Sequence, residues 1–396
     1  MLKLFFNTIE SLNDFIHYHG DFPMKVVISG VNLIEGGPLK VFQDAVVAFS
    51  KIENVELICL VNNISLFDSC MRRNIQFIEF PIVKKSWLLR CLFEYGYCWF
   101  LSKKIKPDIW LAMHDMTPIL CRSANIKQYV YCHNPSPAYD ATLKDFVFDY
   151  KFFLFSKLYK FLYKLNISSN EAVICQQKWF ADLFESEFKI KKTIVAKPNS
   201  KESISLEKEQ FEVIEQEKNI FRFFYPALPR MFKNFELLLD AVEFIERNFD
   251  RSISKEFELI ITIDGTESRY AKWLYAKYSH LNSVKFVGCL NREQVNTYYL
   301  SADLILFPSK LETWGLPIVE AKDFNKPILL ANLPYAHETL GEYDKVKFIN
   351  VNDHKALAVD LICFINGNLV YDKTSKKNDK DVLPDWNSLV NRLLLS

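Results

Sequence analysis

The sequence predicts an α/β protein of two similar halves, each a parallel sheet wrapped by helices. Three observations carry that prediction. At 396 residues the chain is too long for one ordinary core. Short apolar runs alternate with longer periodic stretches along it, the pattern of strand-helix-strand units. A polar, glutamate-rich and glycine-free tract over 201–218 separates two such series.

The elements follow in order. In the first half, compact apolar runs predict strands at 24–30, 55–61, 75–80, 108–112, 128–132 and 172–176, with Met-Lys-Val-Val-Ile-Ser-Gly as the first. In the second they predict strands at 220–225, 257–263, 284–287, 303–307, 327–330 and 347–350. The closing Asp385-Trp386-Asn-Ser-Leu-Val-Asn-Arg-Leu-Leu-Leu reads as an amphipathic helix. Open sheets of this kind receive ligands beyond the carboxyl ends of their strands, where strand order reverses. Residues 1–23 lack the basic start and unbroken apolar run of a signal peptide, so either they form an extra N-terminal segment or the natural start is Met24.

Composition narrows the function. With 49 basic and 48 acidic residues the net charge is +1, which gives no global field for nucleic acid. Nine scattered cysteines without a Cys-x-x-Cys pair argue against zinc and against a disulfide framework, and fit a reducing cytoplasm. No run of apolar residues is long enough to predict a membrane span. Glycine is scarce, ten in all, so those retained answer a backbone need.

The most informative stretch is Leu304-Ile-Leu-Phe-Pro-Ser-Lys-Leu-Glu312-Thr-Trp314-Gly315-Leu316-Pro317-Ile-Val-Glu320-Ala. It reads as a buried strand, a loop with one carboxylate, a glycine, and a proline-started helix whose first turn carries a second carboxylate. The glycine lets backbone approach a ligand, and the helix start is a positive end suited to an anion or a polyhydroxylated group. Because helical side chains lean toward the N-terminus, Glu320 is expected to aim at the mouth that Glu312 approaches from the loop. Each glutamate alone has a plainer reading, a solvated loop residue or a dipole complement; the pair, eight apart with the strand before it, predicts a site.

This stretch resembles the Glu-x7-Glu signature of glycosyltransferase family 4, the retaining sugar-nucleotide transferases of the GT-B fold. Lys326-Pro-Ile-Leu-Leu-Ala follows as the next strand, and Pro334-Tyr-Ala-His-Glu338 stands where that family has a Pro-Glu-Val-like turn. The resemblance implies two Rossmann-like domains facing each other across a cleft. Residues 1–200 would form an acceptor-binding domain, 201–219 a junction, 220–382 a nucleotide-sugar-binding domain, and 383–396 a helix crossing back to the first. It further implies that Glu312 binds donor-sugar hydroxyls in the catalytic site, that Glu320 holds the nucleotide ribose, and that Trp314, Gly315 and Leu316 line the donor.

Other segments fit the same resemblance. Leu228-Pro-Arg230-Met-Phe-Lys233-Asn234 is similar to the family's diphosphate-binding arginine and lysine, with Lys233 aligned and Arg230 displaced by two residues from the arginine's usual place. Tyr131-Cys-His133-Asn134-Pro puts His133 at the end of a strand, where the family has a catalytic-site histidine; His114, in Ala112-Met-His114-Asp115, is the competitor. Gly36-Gly37 resembles the glycine pair approaching donor phosphate and acceptor, and Lys197-Pro198-Asn199-Ser a Pro-Asn-Gly turn that makes Asn199 a marginal candidate. The plainer readings are a solvated basic turn for Lys233 and Arg230, a structural histidine for His133, and an ordinary turn for the glycines.

The one Asp-x-Asp string, Asp379-Lys-Asp381, sits in a lysine-rich polar tract, so no metal and no cofactor beyond the nucleoside diphosphate sugar is expected. The function implied is retaining transfer of a sugar to a glycan or lipid-linked glycan in bacterial surface-polysaccharide assembly. The rivals are a nucleotide-sugar epimerase of the same architecture and a non-catalytic glycan- or nucleotide-binding partner. Two basic, aromatic stretches, 84–106 and 146–165, read either as faces for an anionic membrane on its cytoplasmic side or as core helices with snorkelling lysines.

Overall fold

The computed structural model describes residues 24–70, 74–190, 192–198, 220–249, 255–375 and 381–395. The chain divides into two compact units: 1–134, 160–200 and 381–396 make the first, 135–159 and 201–380 the second.

In the first unit the strands are β1 (Met24–Ser29), β2 (Val55–Val61), β3 (Ile75–Glu79), β4 (Ile109–Ala112), β5 (Lys127–Cys132), β6 (Ala172–Cys175) and β7 (Thr193–Ala196). With a short C-terminal strand, Val382–Leu383, they form an eight-stranded sheet whose order runs from that strand through β7, β6, β5, β4, β1 and β2 to β3. Every pairing is parallel, with Val26 opposite both Leu57 and Ile109. Both faces of a parallel sheet are covered by crossover helices, which is why these strands read as nearly unbroken apolar runs. The helices here are α1 (Gly36–Ser50), α2 (Trp87–Leu92), α3 (Cys98–Ile105) and α6 (Lys178–Phe188), and a π-helical turn, Phe93–Tyr97, joins α2 to α3; α4 (Leu143–Phe148) and α5 (Tyr150–Lys164) as far as Tyr159 fall in the second unit. Gly30 is dictated by packing, since a Cβ there would lie 2.3 Å from the Phe42 ring of α1.

The second unit holds β8 (Ile220–Tyr225), β9 (Glu256–Ile261), β10 (Val284–Phe286), β11 (Leu304–Phe307), β12 (Ile328–Ala331) and β13 (Val346–Ile349) in the parallel order β10, β9, β8, β11, β12, β13. Its helices are α7 (Phe235–Asn248), α8 (Arg269–Tyr278), α9 (Arg292–Ser301), α10 (Leu316–Asp323), α11 (Pro334–Leu340) and α12 (His354–Ile365). Strand order reverses between β1 and β4 in one sheet and between β8 and β11 in the other, so each has its own crevice beyond those strand ends.

Three findings differ from the sequence reading. β7 and the strand Val382–Leu383 were not expected; four and two residues are too short to announce themselves. The expected turn at 334–338 is the helix α11, started by Pro334. Residues 135–159, read as part of the first domain, belong to the second unit, where Phe148 packs on Tyr270 and Trp273 and Tyr139 on Phe232. The C-terminal helix, Trp386–Leu395, belongs to the first unit, with Trp386, Leu389, Val390 and Leu393 in the same buried cluster as Val26 and Leu57.

Candidate functional site

In the second unit the loops after β8 and β11 meet at the strand-order reversal. The Lys233 ammonium is in direct contact with the Glu312 carboxylate, and both side chains are largely buried. The backbone fixes that meeting. The Tyr225 hydroxyl, at the end of β8, donates to the Lys233 carbonyl at 2.6 Å, and the Lys310 amide donates to the Phe232 carbonyl at 2.7 Å. Asn234 adopts a left-handed φ of 59° and its side-chain amide donates to the carbonyls of Pro308 and Val351 at 3.3 and 2.9 Å. Beneath Glu312, burial and then its negative charge hold the Tyr225 and Tyr335 hydroxyls well above their ordinary pKa, so both remain neutral donors. The Lys233 ammonium also lies 5.5 Å from the centre of the Phe307 ring, an arrangement that favours a cation.

Gly315 precedes α10 with φ of 75°, a left-handed value that admits glycine at little cost. The Trp314 carbonyl accepts from the Thr339 hydroxyl, which ties the loop to α11, and Leu316 at the helix start is exposed. Glu320, one turn on, pairs with Arg292 at 2.5 Å and stands beside the buried Tyr299, whose hydroxyl is raised by burial first and the Glu320 carboxylate second. Each glutamate of the pair therefore has its own basic partner. Arg230 pairs with Asp149 at 3.3 Å, a largely exposed contact. Arg292 and Asp149 were missed. The Asn291-Arg292-Glu-Gln294 capping box marked a helix start, but no local pattern reveals a partner 28 residues away.

The first unit gathers a second set of polar groups beyond β1, β4 and β5. Asp115, at φ of 68°, accepts at one carboxylate oxygen from the His133 amide at 2.8 Å, the Asn134 amide at 3.0 Å and the Tyr163 hydroxyl at 2.9 Å. Its other oxygen lies 3.8 Å from Nε2 of His133, whose buried Nδ1 has no hydrogen-bond partner among the described residues. His114 is fully buried, with Nε2 3.1 Å from Oε1 of Glu94. Burial, and after it the Arg90 guanidinium, hold His114 well below its ordinary pKa, while burial pushes Glu94 up to about 8. Glu94 and Arg90 were missed, although Glu94 is the lone acidic residue of 81–107, a legible signal. Gly36 has φ of 68°, and nothing lies within 4 Å of where a Cβ of Gly37 would be, so that turn leaves room for an incoming group. Asn199, and residues 379 and 380 of the Asp-x-Asp string, lie outside the described residues.

Residues 206–381 match the family model "Glycosyl transferases group 1". Among solved structures, the chain resembles a glycosyltransferase from Rickettsia africae at 17% identity, covering 94% of this chain and 96% of that one with a TM-score of 0.59. It resembles sucrose-phosphate synthase from Thermosynechococcus elongatus at 13% identity, over 87% and 90%, with a TM-score of 0.59. Anabaena HepE, solved with UDP and glucose, matches at 16% identity over 86% and 90%, with a TM-score of 0.53. No curated protein matches. The fold is GT-B, two Rossmann-like α/β domains, and the likeness to glycosyl transferases group 1 rests on residues 206–381.

Proposed function

We propose that the chain is a retaining glycosyltransferase of family 4 that moves a sugar from a nucleoside diphosphate sugar to a hydroxyl of a glycan or lipid-linked glycan, in the assembly of a surface polysaccharide. The observation that carries the reading is the Lys233–Glu312 contact at the strand-order reversal of the second unit, inside the matched residues 206–381. UDP is the nucleotide of choice to try first, because HepE, of the same fold, was solved with UDP and glucose.

In this reading the donor's diphosphate takes the place of the Glu312 carboxylate as the partner of Lys233. The ammonium and the positive start of α10 then offset the charge that grows as the sugar's C1 leaves the phosphate oxygen. Glu312, released, accepts hydrogen bonds from sugar hydroxyls. Glu320, steadied by Arg292, takes the ribose. The acceptor hydroxyl attacks C1 on the face the diphosphate leaves, and its proton passes to the departing phosphate oxygen. In the first unit, His133 and the Gly36-Gly37 turn serve sugar and acceptor, with Asp115 holding the His133 backbone.

A panel of nucleoside diphosphate sugars screened by thermal shift identifies the donor, since a ligand that binds only the folded chain raises its melting point. NMR of the first product formed with that donor then reads the anomeric configuration. Inversion sinks the family 4 assignment, epimerised nucleotide sugar formed without acceptor establishes the epimerase instead, and donor binding without turnover on a complete acceptor set leaves a binding protein.

A further inference from the structure

The helical stretch of α2, the π turn and α3 belongs wholly to the first unit. Phe93, Cys98, Leu101 and Ile105 face its core. Its opposite side leaves large apolar groups in water: Trp87 is 46% exposed, Leu88 68%, Leu92 54%, Trp99 42% and Phe100 38%. The reading of this stretch as core helices fits its buried side chains and fails for these five. Charge on the stretch is of one sign. Residues 81–107 carry Lys84, Lys85, Arg90, Lys103, Lys104 and Lys106 against the single acid Glu94, which is fully buried. Lys84 lies 3.8 Å from Glu35, and the lysines sit at the two ends of the apolar side. The two tryptophans hold cations over their rings, Arg90 at 5.4 Å from Trp87 and Lys103 at 5.4 Å from Trp99.

A protein of net charge +1 that gathers five lysines and five exposed apolar side chains over residues 81–107, with Arg90 turned inward to the His114 carbonyl, has segregated them for a partner. We infer that this side of α2 and α3 docks on an anionic lipid surface. There the aromatic rings reach headgroup depth and the lysines meet acidic headgroups, as in interfacial helices that lie along a bilayer. Among the described residues no helix is long and apolar enough to cross a membrane, so the contact is lateral. The inference stands apart from the transfer reaction.

The test is co-sedimentation of the full chain with vesicles of phosphatidylcholine alone and with about one-third phosphatidylglycerol. Binding is expected on the anionic vesicles and weakens with salt. Leu88→Ser with Trp99→Ser lowers it about tenfold or more, and Lys103→Gln with Lys106→Gln about twentyfold. All these side chains are surface groups, so unchanged melting points confirm that the variants fold. The inference is overturned by failure to bind anionic vesicles, or by unchanged binding in both variants. It is also overturned by self-association that Leu88→Ser with Trp99→Ser abolishes without any vesicle binding, which makes a second copy the occupant. Binding by a chain starting at Met24 but not by the full chain assigns the face to residues 1–23 and overturns it as well.

Discussion

Lys233 and Glu312 are in contact across 79 residues of sequence, one on the loop after β8 and the other on the loop after β11. A largely buried pair of this kind costs desolvation energy that its own attraction only partly returns. Keeping it at a ligand-binding crevice makes sense where the lysine has a stronger anion to meet.

Loss of either partner is therefore expected to act on transfer more than on folding. Lys233→Met and Glu312→Gln should each lower kcat/KM about a hundredfold to a thousandfold. The double variant should fall far short of the product of the two, because the groups act as a unit. Steady-state kinetics of the four proteins check this; independent, multiplying losses would show that the contact has no catalytic meaning.

Arg230 supplies a control. Its pair with Asp149 is largely exposed, and pairs of that kind contribute roughly 0–1 kcal/mol. Arg230→Ala should change donor affinity less than about threefold, well short of the effect of Lys233→Met. Calorimetric titration with the donor decides it, and an equal loss at Arg230 would mean that its side chain leaves Asp149 for the diphosphate.

Burial of Glu94 makes stability depend on pH. Its carboxyl titrates near 4.5 when unfolded and is pushed up to about 8 in the fold, so between those values the folded chain keeps a proton that the unfolded chain gives up. More protons on the folded state means stability falls as pH rises from about 4.5 to about 8. Glu94→Gln removes this dependence and should gain at most a few kcal/mol on the parent at pH 8 relative to pH 5. Urea unfolding at the two pH values measures it; parallel curves for parent and variant would refute the argument.

Two glycines should separate packing from chemistry. At Gly30 an added Cβ meets the Phe42 ring at 2.3 Å, so Gly30→Ala should destabilise by roughly 1–3 kcal/mol. Gly315→Ala forces an alanine to φ of 75° with Ile318 3.0 Å away, costing about 1–2 kcal/mol. The second change also moves the loop that bears Glu312, so its kcat loss should exceed that of Gly30→Ala at a temperature where both stay folded. Melting curves run beside kinetics distinguish them.

The strands were legible because both faces of each sheet are covered, which writes an apolar run into the sequence wherever a strand lies. Glu312 and Lys233 stood out as candidates by their places after β11 and β8, where open sheets hold ligands, but nothing in either local sequence announced their mutual contact. Other partners were not legible either. Arg292 beside Glu320, Asp149 beside Arg230 and Asp115 beneath His133 are set by tertiary placement, and nothing within a turn of any of these residues names its partner. The exposed side of α2 and α3 was half legible: residue types suggested two fates, and only the fold says which side chains face water.

The docking of residues 135–159 on the second unit has a consequence for how the chain is made. On the ribosome, Phe148 emerges more than a hundred residues before Tyr270 and Trp273, the rings it will rest against. Until they arrive it has no cover, so residues 160–200 of the first unit are made while the stretch before them still waits for its seat. The same interleaving bears on recombination. A chimera joined anywhere in 201–219 would pair one parent's 135–159 with the other parent's second unit, and would keep its seating only where both parents agree at Phe148, Asp149, Arg230 and Trp273.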